Sequence, residues 1–238
     1  MISCILAFYL AVFVRPGGAQ AADADALYAR RDNLASAQKA AAIWAERLAA
    51  DPHNFEAAWK LARARYWLGN HVPEGERKTT LESGIAAART AIAVQPQRPE
   101  GHFWMAANMG ALAESFGLRQ GLKYRGEIKS ELLTVLKLDP AFQQGSADRA
   151  LGRWYYRVPG LFGGSKEKSE AHLRRSLQYN PNSTASHYFL AETLIARNRD
   201  ADAKVELQRV LDAPLDPVWA PEDREWKEKA RRLLAQLK

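Results

Sequence analysis

The chain has 238 residues, of which 47% are hydrophobic and 26% charged, and this is enough apolar material for a sizeable buried core. Its formal net charge of +7 favours solubility or weak attraction to anionic surfaces and argues against nucleic acid as a partner. Alanine runs at 40–42 and 86–88 favour helices that approach each other closely, so the composition already indicates an all-α protein.

The first residues have the pattern of a secretory signal. Ile2–Val14 is an apolar run broken only by Ser3, too short to span a bilayer comfortably, and a small-residue cleavage site ends at Ala21. We predict a signal peptide at 1–21, cut after Ala21, and an exported, periplasmic domain at 22–238 without a membrane span. An uncleaved anchor, or a start upstream of Met1, is the alternative because no Lys or Arg precedes the apolar run.

An internal repeat is marked by prolines that end one apolar-periodic stretch and open the next. Four similar phrases contain Pro52, Pro96, Pro140 and Pro181, which are 44, 44 and 41 residues apart, and Pro214 follows after 33 more. Proline cannot continue a helix and biases the residue before it away from helical geometry, so each phrase marks a helix boundary.

The stretches between these prolines have a helical period. Apolar residues in the first stretch fall on one face of a helix, at Phe55, Ala58, Trp59, Ala62 and Tyr66. No stretch shows the sustained alternation that a strand requires. We therefore predict about four helical hairpins, with turns at 69–75, 117–121, 158–165 and 198–200, where Gly, Pro and Asn end one helix and begin another.

The last full unit, from Pro181 to Pro214, matches the length of a tetratricopeptide repeat, which is about 34 residues and two helices. The earlier units are longer by a turn or two of helix. The predicted fold is an all-α, tetratricopeptide-like solenoid of about four hairpins. Helices before Pro52 and after Pro217 are predicted to be the caps that such a solenoid needs.

Candidate catalytic and metal-binding residues are scarce. Cys4 is the only cysteine and lies in the predicted signal, so the exported chain would have no disulfide, thiol nucleophile or thiolate ligand. No two histidines have three- or four-residue helical spacing, and neither His-Glu-x-x-His nor Gly-x-Ser-x-Gly occurs. We predict no metal, no cofactor and no enzyme. A hydrolase with catalytic residues assembled from distant positions is the remaining alternative.

A binding site is predicted from two features. Three of the predicted turns are enlarged, and turns of a solenoid lie along one edge that is often the binding face, although longer turns could merely accommodate longer helices. Segment 151–164 also places arginines and aromatics before a glycine-rich turn, a composition typical of binding surfaces. The alternative is ordinary packing, with Arg153 paired to an acid.

The candidate binding residues come from this segment and from first helices of hairpins, which line the concave surface; they are Trp104, Asn108, Arg153, Trp154, Tyr156 and Tyr188. The candidate turn residues are Gly152, Pro159, Gly160, Gly163 and Gly164. We expect Gly164 to have a positive φ, so that a bulky residue there would destabilise the third hairpin.

The phrase G-R-x-Y-Y-x-x-P-G from Gly152 to Gly160, followed by a G-G-x-K turn and a basic helix, resembles the T-component of TRAP transporters. Its Gly-Arg-Trp part is similar to the regulators of microtubule dynamics. The resemblance covers about 97–181. It implies a periplasmic, tetratricopeptide-like protein that binds a hydrophobic small molecule, a protein partner such as the substrate-binding transporter component, or both. A pure protein-interaction scaffold of the cell envelope is the alternative, and the sequence permits a homo-oligomer.

Overall fold

The computed structural model describes residues 24–237, without the side chains of 118–120, and no strand occurs in that part of the chain. A short helical stretch at 24–29 comes first. The helices that follow are α1 (Leu34–Ala50), α2 (Phe55–His71), α3 (Glu74–Val94), α4 (Pro99–Phe116), α5 (Leu118–Leu138), α6 (Phe142–Arg157), α7 (Lys166–Tyr179), α8 (Thr184–Ile195), α9 (Asp200–Asp212) and α10 (Ala220–Gln236). Within 24–237 no helix is both long and apolar enough to span a membrane. The predicted signal peptide at 1–21 lies outside the described residues.

The helices pair into the four predicted hairpins, α2 with α3, α4 with α5, α6 with α7, and α8 with α9. Asp51, Asp139 and Asn180 each precede a proline of the repeat, and each side chain accepts a hydrogen bond from the backbone N–H two residues later at 2.9–3.0 Å. Such a turn directs the chain out of one helix, and the proline prevents the helix from continuing. The proline phrases are therefore the links between hairpins.

The turns inside the hairpins differ from the prediction. Val72 and Pro73 alone separate α2 from α3, and Gly117 alone separates α4 from α5. The first two hairpins are long because α3 and α5 each have 21 residues. Gly69 was assigned to a turn but lies within α2, where a Cβ would come within 2.3 Å of the Leu81 side chain. The prediction of three enlarged turns is thus wrong, because Gly69, Gly75 and Gly121 lie inside helices. Of the four turns, the one at 158–165 is enlarged.

The first helices of the hairpins form the inner layer of the array. Contacts join α2 to α4, α4 to α6, α6 to α8, and α8 to the cap α10, whereas successive second helices have no comparable contact in 24–237. A stack whose units approach more closely along one layer curves toward that layer. The first helices therefore line the concave side, as predicted for this architecture.

The curvature brings the two ends of the array together, which the sequence did not predict. Arg31, in the turn before α1, is 3% exposed and forms a two-pronged ion pair with Glu222 of α10, with Nε 2.9 Å from Oε1. The same guanidinium donates to the Val218 carbonyl at 2.7 Å. It also lies 5.3 Å from the ring centroid of Trp67 and 5.8 Å from that of Trp219. We call this contact between the N-terminal turn and α10 the closure.

Two further ion pairs lie beside the closure. Arg224 of α10 is 3.0 Å from Asp32, and both side chains are exposed. His71, at the end of α2, places Nε2 2.7 Å from Glu225 and donates from Nδ1 to the Trp67 carbonyl at 2.6 Å. With an acceptor at each ring nitrogen, the imidazole satisfies both only when it is doubly protonated.

The stabilisation from His71 should depend on pH. Burial lowers the pKa of His71, but the hydrogen bonds to Glu225 and to the Trp67 carbonyl outweigh it, and Glu222 adds to them, so the net pKa is raised. A raised folded-state pKa gives stabilisation that is fully present below the unfolded value of about 6.5 and is lost as pH rises through the folded value. We expect His71→Gln to lower the free energy of unfolding by up to about 1 kcal/mol at pH 5.5 and by much less at pH 8.5. Denaturant titrations at both pH values, with exposed His53→Gln as control, measure this; an equal loss at the two pH values would contradict it.

Candidate functional site

Two candidate binding residues, Trp104 and Asn108, lie in the core of the array. Asn108 is fully buried, and its Nδ2 donates to the Ala62 carbonyl of α2 at 3.0 Å and to the Trp104 carbonyl at 2.7 Å. A Cβ on Gly84 would lie 2.2 Å from the Asn108 side chain, so that glycine makes room for the amide. The prediction that they line an accessible concave surface is therefore wrong, because α4 packs against the helices on both sides of it.

Trp154 and Gly152 also lie where helices pack. Trp154 is buried, and its Nε1 donates to the Arg125 carbonyl of α5 at 2.9 Å. A Cβ on Gly152 would lie 2.5 Å from the Leu173 side chain of α7, and Ser169 donates to the Gly152 carbonyl at 2.8 Å. In the folded chain these two residues fix α6 against its neighbours and present little surface to a ligand.

The turn after α6 contains the remaining motif residues. Pro159 accepts hydrogen bonds from the backbone N–H of Phe162 at 2.9 Å and of Gly164 at 3.2 Å, and Gly160 begins a short 3₁₀ helix, Gly160–Phe162. The expected positive φ occurs at Gly163, where φ is 99°, and not at Gly164. Gly164 is needed for another reason, since a Cβ there would lie 1.7 Å from the Val158 carbonyl oxygen.

Arg153 occupies the middle of a charged row on the inner layer. Its guanidinium lies 2.9 Å from Glu114 of α4 and 2.6 Å from Glu192 of α8, and each acid is 39 positions away in sequence. We call these three residues the inner row. Burial lowers the pKa of Arg153, but the two carboxylates outweigh it and the net pKa is raised. Burial, together with the Glu114 carboxylate, raises the pKa of Glu192 against the lowering effect of Arg153, so the net pKa is raised.

Tyr156 and Tyr188 are half-buried beside the inner row. The Arg153 guanidinium lies 5.5 Å from the Tyr156 ring centroid, and Tyr188 packs against Trp226 of α10 with ring centroids 5.2 Å apart. Burial raises the pKa of both phenols, so both hydroxyls stay protonated and available as donors near neutral pH. Of the six candidate binding residues, Arg153, Tyr156 and Tyr188 are brought together on the concave side.

Arg149 lies one helical turn before Arg153 on α6 and is half-buried. Burial lowers the pKa of its guanidinium, while Tyr66, Asp223 and Glu222 raise it from nearby. Among the residues that the structure describes, none forms a hydrogen bond or ion pair with this guanidinium. Burial raises the pKa of the nearby Tyr66 phenol to about 12, so this neighbour stays uncharged near neutral pH. A partly buried cation without a partner lowers the stability of the folded chain, so this position favours binding of an anionic group from outside the chain.

The chain matches the models of two known protein families. A family model described as TRAP transporter T-component matches residues 97–238, more than half of the chain. The chain belongs to the TRAP transporter T-component family. A second model, Regulator of microtubule dynamics protein 1-3, matches 21–162, and the chain belongs to that family too. Both predicted resemblances are confirmed, and the phrase from Gly152 to Gly160 lies where the two matches overlap.

Solved structures confirm the tetratricopeptide-like solenoid. A thermophilic TPR protein of Thermus thermophilus is 19% identical, with a TM-score of 0.68 over 91% of this chain and 99% of that chain. Two structures of MamA are each 14% identical, with TM-scores of 0.52 and 0.53 over 84% and 89% of this chain and 95% and 93% of theirs. These identities establish likeness of fold alone. A search of proteins with curated functions found no significant match.

The match to the T-component family supports a protein-interaction adaptor role. The family also implies a transporter partner. In 24–237 no group of three or more His, Cys, Asp or Glu side chains could hold a metal ion. Glu114, Glu192 and Arg149 were not among the predicted site residues. The repeated 39-residue interval around Arg153 is the signal that could have found the two acids.

Proposed function

We propose that this protein is an exported, periplasmic adaptor of the T-component type whose concave side binds an acidic segment of a protein partner, such as the substrate-binding component of the transporter. Arg149 carries the proposal, because its half-buried guanidinium has no acid of its own among the described residues. Arg153 already has two acids, and Tyr156 and Tyr188 add phenol hydroxyls and aromatic surface next to it. Arginine and tyrosine together are typical of the residues that dominate binding free energy.

A hydrophobic small molecule is the second candidate ligand. A cavity of about 250 Å³ lies beside the closure, lined by Asp25, Tyr28, Ala29, Arg31, Arg63, Pro217, Val218 and Trp219. Ligand sites usually enclose roughly 300–1,000 Å³ and are mostly apolar, whereas this cavity is smaller than that range and carries three charged side chains. We therefore favour the protein partner. Native mass spectrometry separates the two, since a carrier would retain a mass of a few hundred daltons that is lost on denaturation.

Arg149→Gln tests the adaptor proposal without disturbing an internal contact. Glutamine removes a partly buried charge that has no partner, so the free energy of unfolding should stay the same or rise. Binding to the purified substrate-binding component should weaken roughly tenfold or more, because a charge-assisted contact is lost. Isothermal titration calorimetry measures the affinity and denaturant titration measures the stability.

The control is Arg89→Gln, which removes an exposed arginine of the outer helix α3 whose acid, Glu127, lies 3.3 Å away. Its affinity for the substrate-binding component should match that of the wild type. If the two variants bind equally well, or if the wild type does not bind that component at all, the adaptor proposal fails.

A further inference from the structure

The enlarged turn between α6 and α7 carries an exposed apolar tip. Leu161 is 89% exposed and Phe162 is 38% exposed, and the two are adjacent in the 3₁₀ helix of the turn. Single exposed apolar residues are ordinary on protein surfaces. Here two large ones share the end of a projection, so this tip differs from the scattered exposed residues elsewhere. Neither residue belongs to the inner row or to the closure.

The turn is held in one shape by its own hydrogen bonds. The backbone N–H of Gly163 donates to the Gly160 carbonyl at 3.0 Å, and the N–H of Ser165 donates back to the Tyr155 carbonyl of α6 at 3.0 Å. Gly163 supplies the left-handed backbone angle, and Gly164 allows the close approach to Val158. A tip that is already ordered loses little conformational entropy when it is buried against another surface.

Three cations from two helices, α5 and α7, lie beside the base of the turn. The Arg125 guanidinium of α5 lies 5.5 Å from the Phe162 ring centroid. The ammonium groups of Lys129 and Lys168 lie 5.2 Å and 5.7 Å from the ring centroid of Tyr155. Among the residues that the structure describes, none forms an ion pair with these three cations.

We propose that this tip is a membrane-docking site, which inserts Leu161 and Phe162 into the surface of a bilayer while the surrounding cations contact anionic lipid headgroups. A convex apolar tip suits the acyl boundary of a bilayer, which deforms around it, whereas a protein partner would need a matching pocket. Unpaired lysine and arginine side chains around such a tip complement the negative charge of anionic lipids. This site is independent of the concave surface and of its proposed partner.

Co-sedimentation of the full chain with vesicles tests the proposal. The wild type should bind vesicles of three parts phosphatidylcholine to one part phosphatidylglycerol, and should bind pure phosphatidylcholine much more weakly. Leu161→Ser should lower the partition coefficient on the anionic vesicles roughly tenfold, because one leucine side chain is no longer buried. Every variant keeps the same N-terminal segment, so differences between variants report on the turn.

Removing the positive charges beside the turn is a second test of the membrane proposal. The double variant Lys129→Gln, Lys168→Gln should lower binding to the anionic vesicles roughly tenfold or more at low salt, and should leave a weaker salt dependence. Matched controls are Leu215→Ser, at another exposed leucine in a connecting segment, and the double variant Lys39→Gln, Lys78→Gln at exposed positions. The partition coefficients of the controls on the anionic vesicles should stay within about twofold of the wild-type value.

Three results would overturn the membrane proposal. The first is no binding of the wild type to anionic vesicles at low salt, and the second is equal binding to neutral and anionic vesicles. The third is a loss in the controls as large as that in the turn variants.

If vesicles are not bound and Leu161→Ser instead weakens binding to the substrate-binding component, the tip is a protein contact. Because Leu161 is almost fully exposed, thermal unfolding of the serine variant should match the wild type, which separates lost docking from lost folding.

Discussion

Arg31→Ala is expected to lower the free energy of unfolding by about 3–5 kcal/mol, because it removes one partner of a largely buried ion pair. The substitution would leave the Glu222 carboxylate partly buried without its cation, and it would remove the bond to the Val218 carbonyl. It would also remove the guanidinium that packs beside Trp67 and Trp219. Denaturant titration near pH 7 measures the loss.

Two further variants make this prediction specific to the buried pair. Arg224→Ala breaks an ion pair with Asp32 in the same region, but both side chains are about half exposed, so the loss should stay below about 1 kcal/mol. The double variant Arg31→Met, Glu222→Leu should recover much of the loss, because it leaves no buried charge unpaired. Equal losses in Arg31→Ala and Arg224→Ala would show that the closure does not depend on the buried pair.

The closure and the proposed partner surface have neighbours in common. Glu222 pairs with Arg31 and also lies within electrostatic reach of Arg149 and Tyr66. An acidic segment that approaches Arg149 must therefore do so beside the first turn of α10. Partner binding and the closure should influence each other, and the affinity of Arg31→Ala for the substrate-binding component is a direct measure of that coupling.

The fold was largely predictable because its signals are local. Each proline phrase ends a helix through the pyrrolidine ring, and in three of the four the side chain before the proline also directs the turn, at Asp51, Asp139 and Asn180. The closure was not predictable, since it depends on the summed curvature of all hairpins. Arg31 and Glu222 are 191 positions apart, and neither has a local pattern that points to the other.

The candidate site was only partly predictable for a related reason. Helical periodicity shows which residues share a face, but not whether that face is covered by another helix. Trp104 and Asn108 share the first-helix position with Arg153, yet they lie deep in the stack where α2 and α3 cover α4. Arg149 was missed because an unpaired arginine in a sequence looks like any other solvated charge, and its lack of an acid is apparent only from the three-dimensional arrangement.

Gly164→Ala is expected to lower the free energy of unfolding by at least about 2 kcal/mol, because the added methyl group would lie 1.7 Å from the Val158 carbonyl oxygen. The clashing atom belongs to the backbone and not to a flexible side chain, so the turn must open for the methyl group to fit. Gly160→Ala is the matched control in the same turn, since no atom lies within 4 Å of the new methyl group, and its loss should be below about 0.5 kcal/mol. Denaturant titration of both variants measures the difference. Equal stability of the two variants would mean that the close approach of Gly164 to Val158 is not what selects glycine there. A loss confined to Gly164→Ala would show that this position of the G-G-x-K turn requires glycine because the backbone packs closely there.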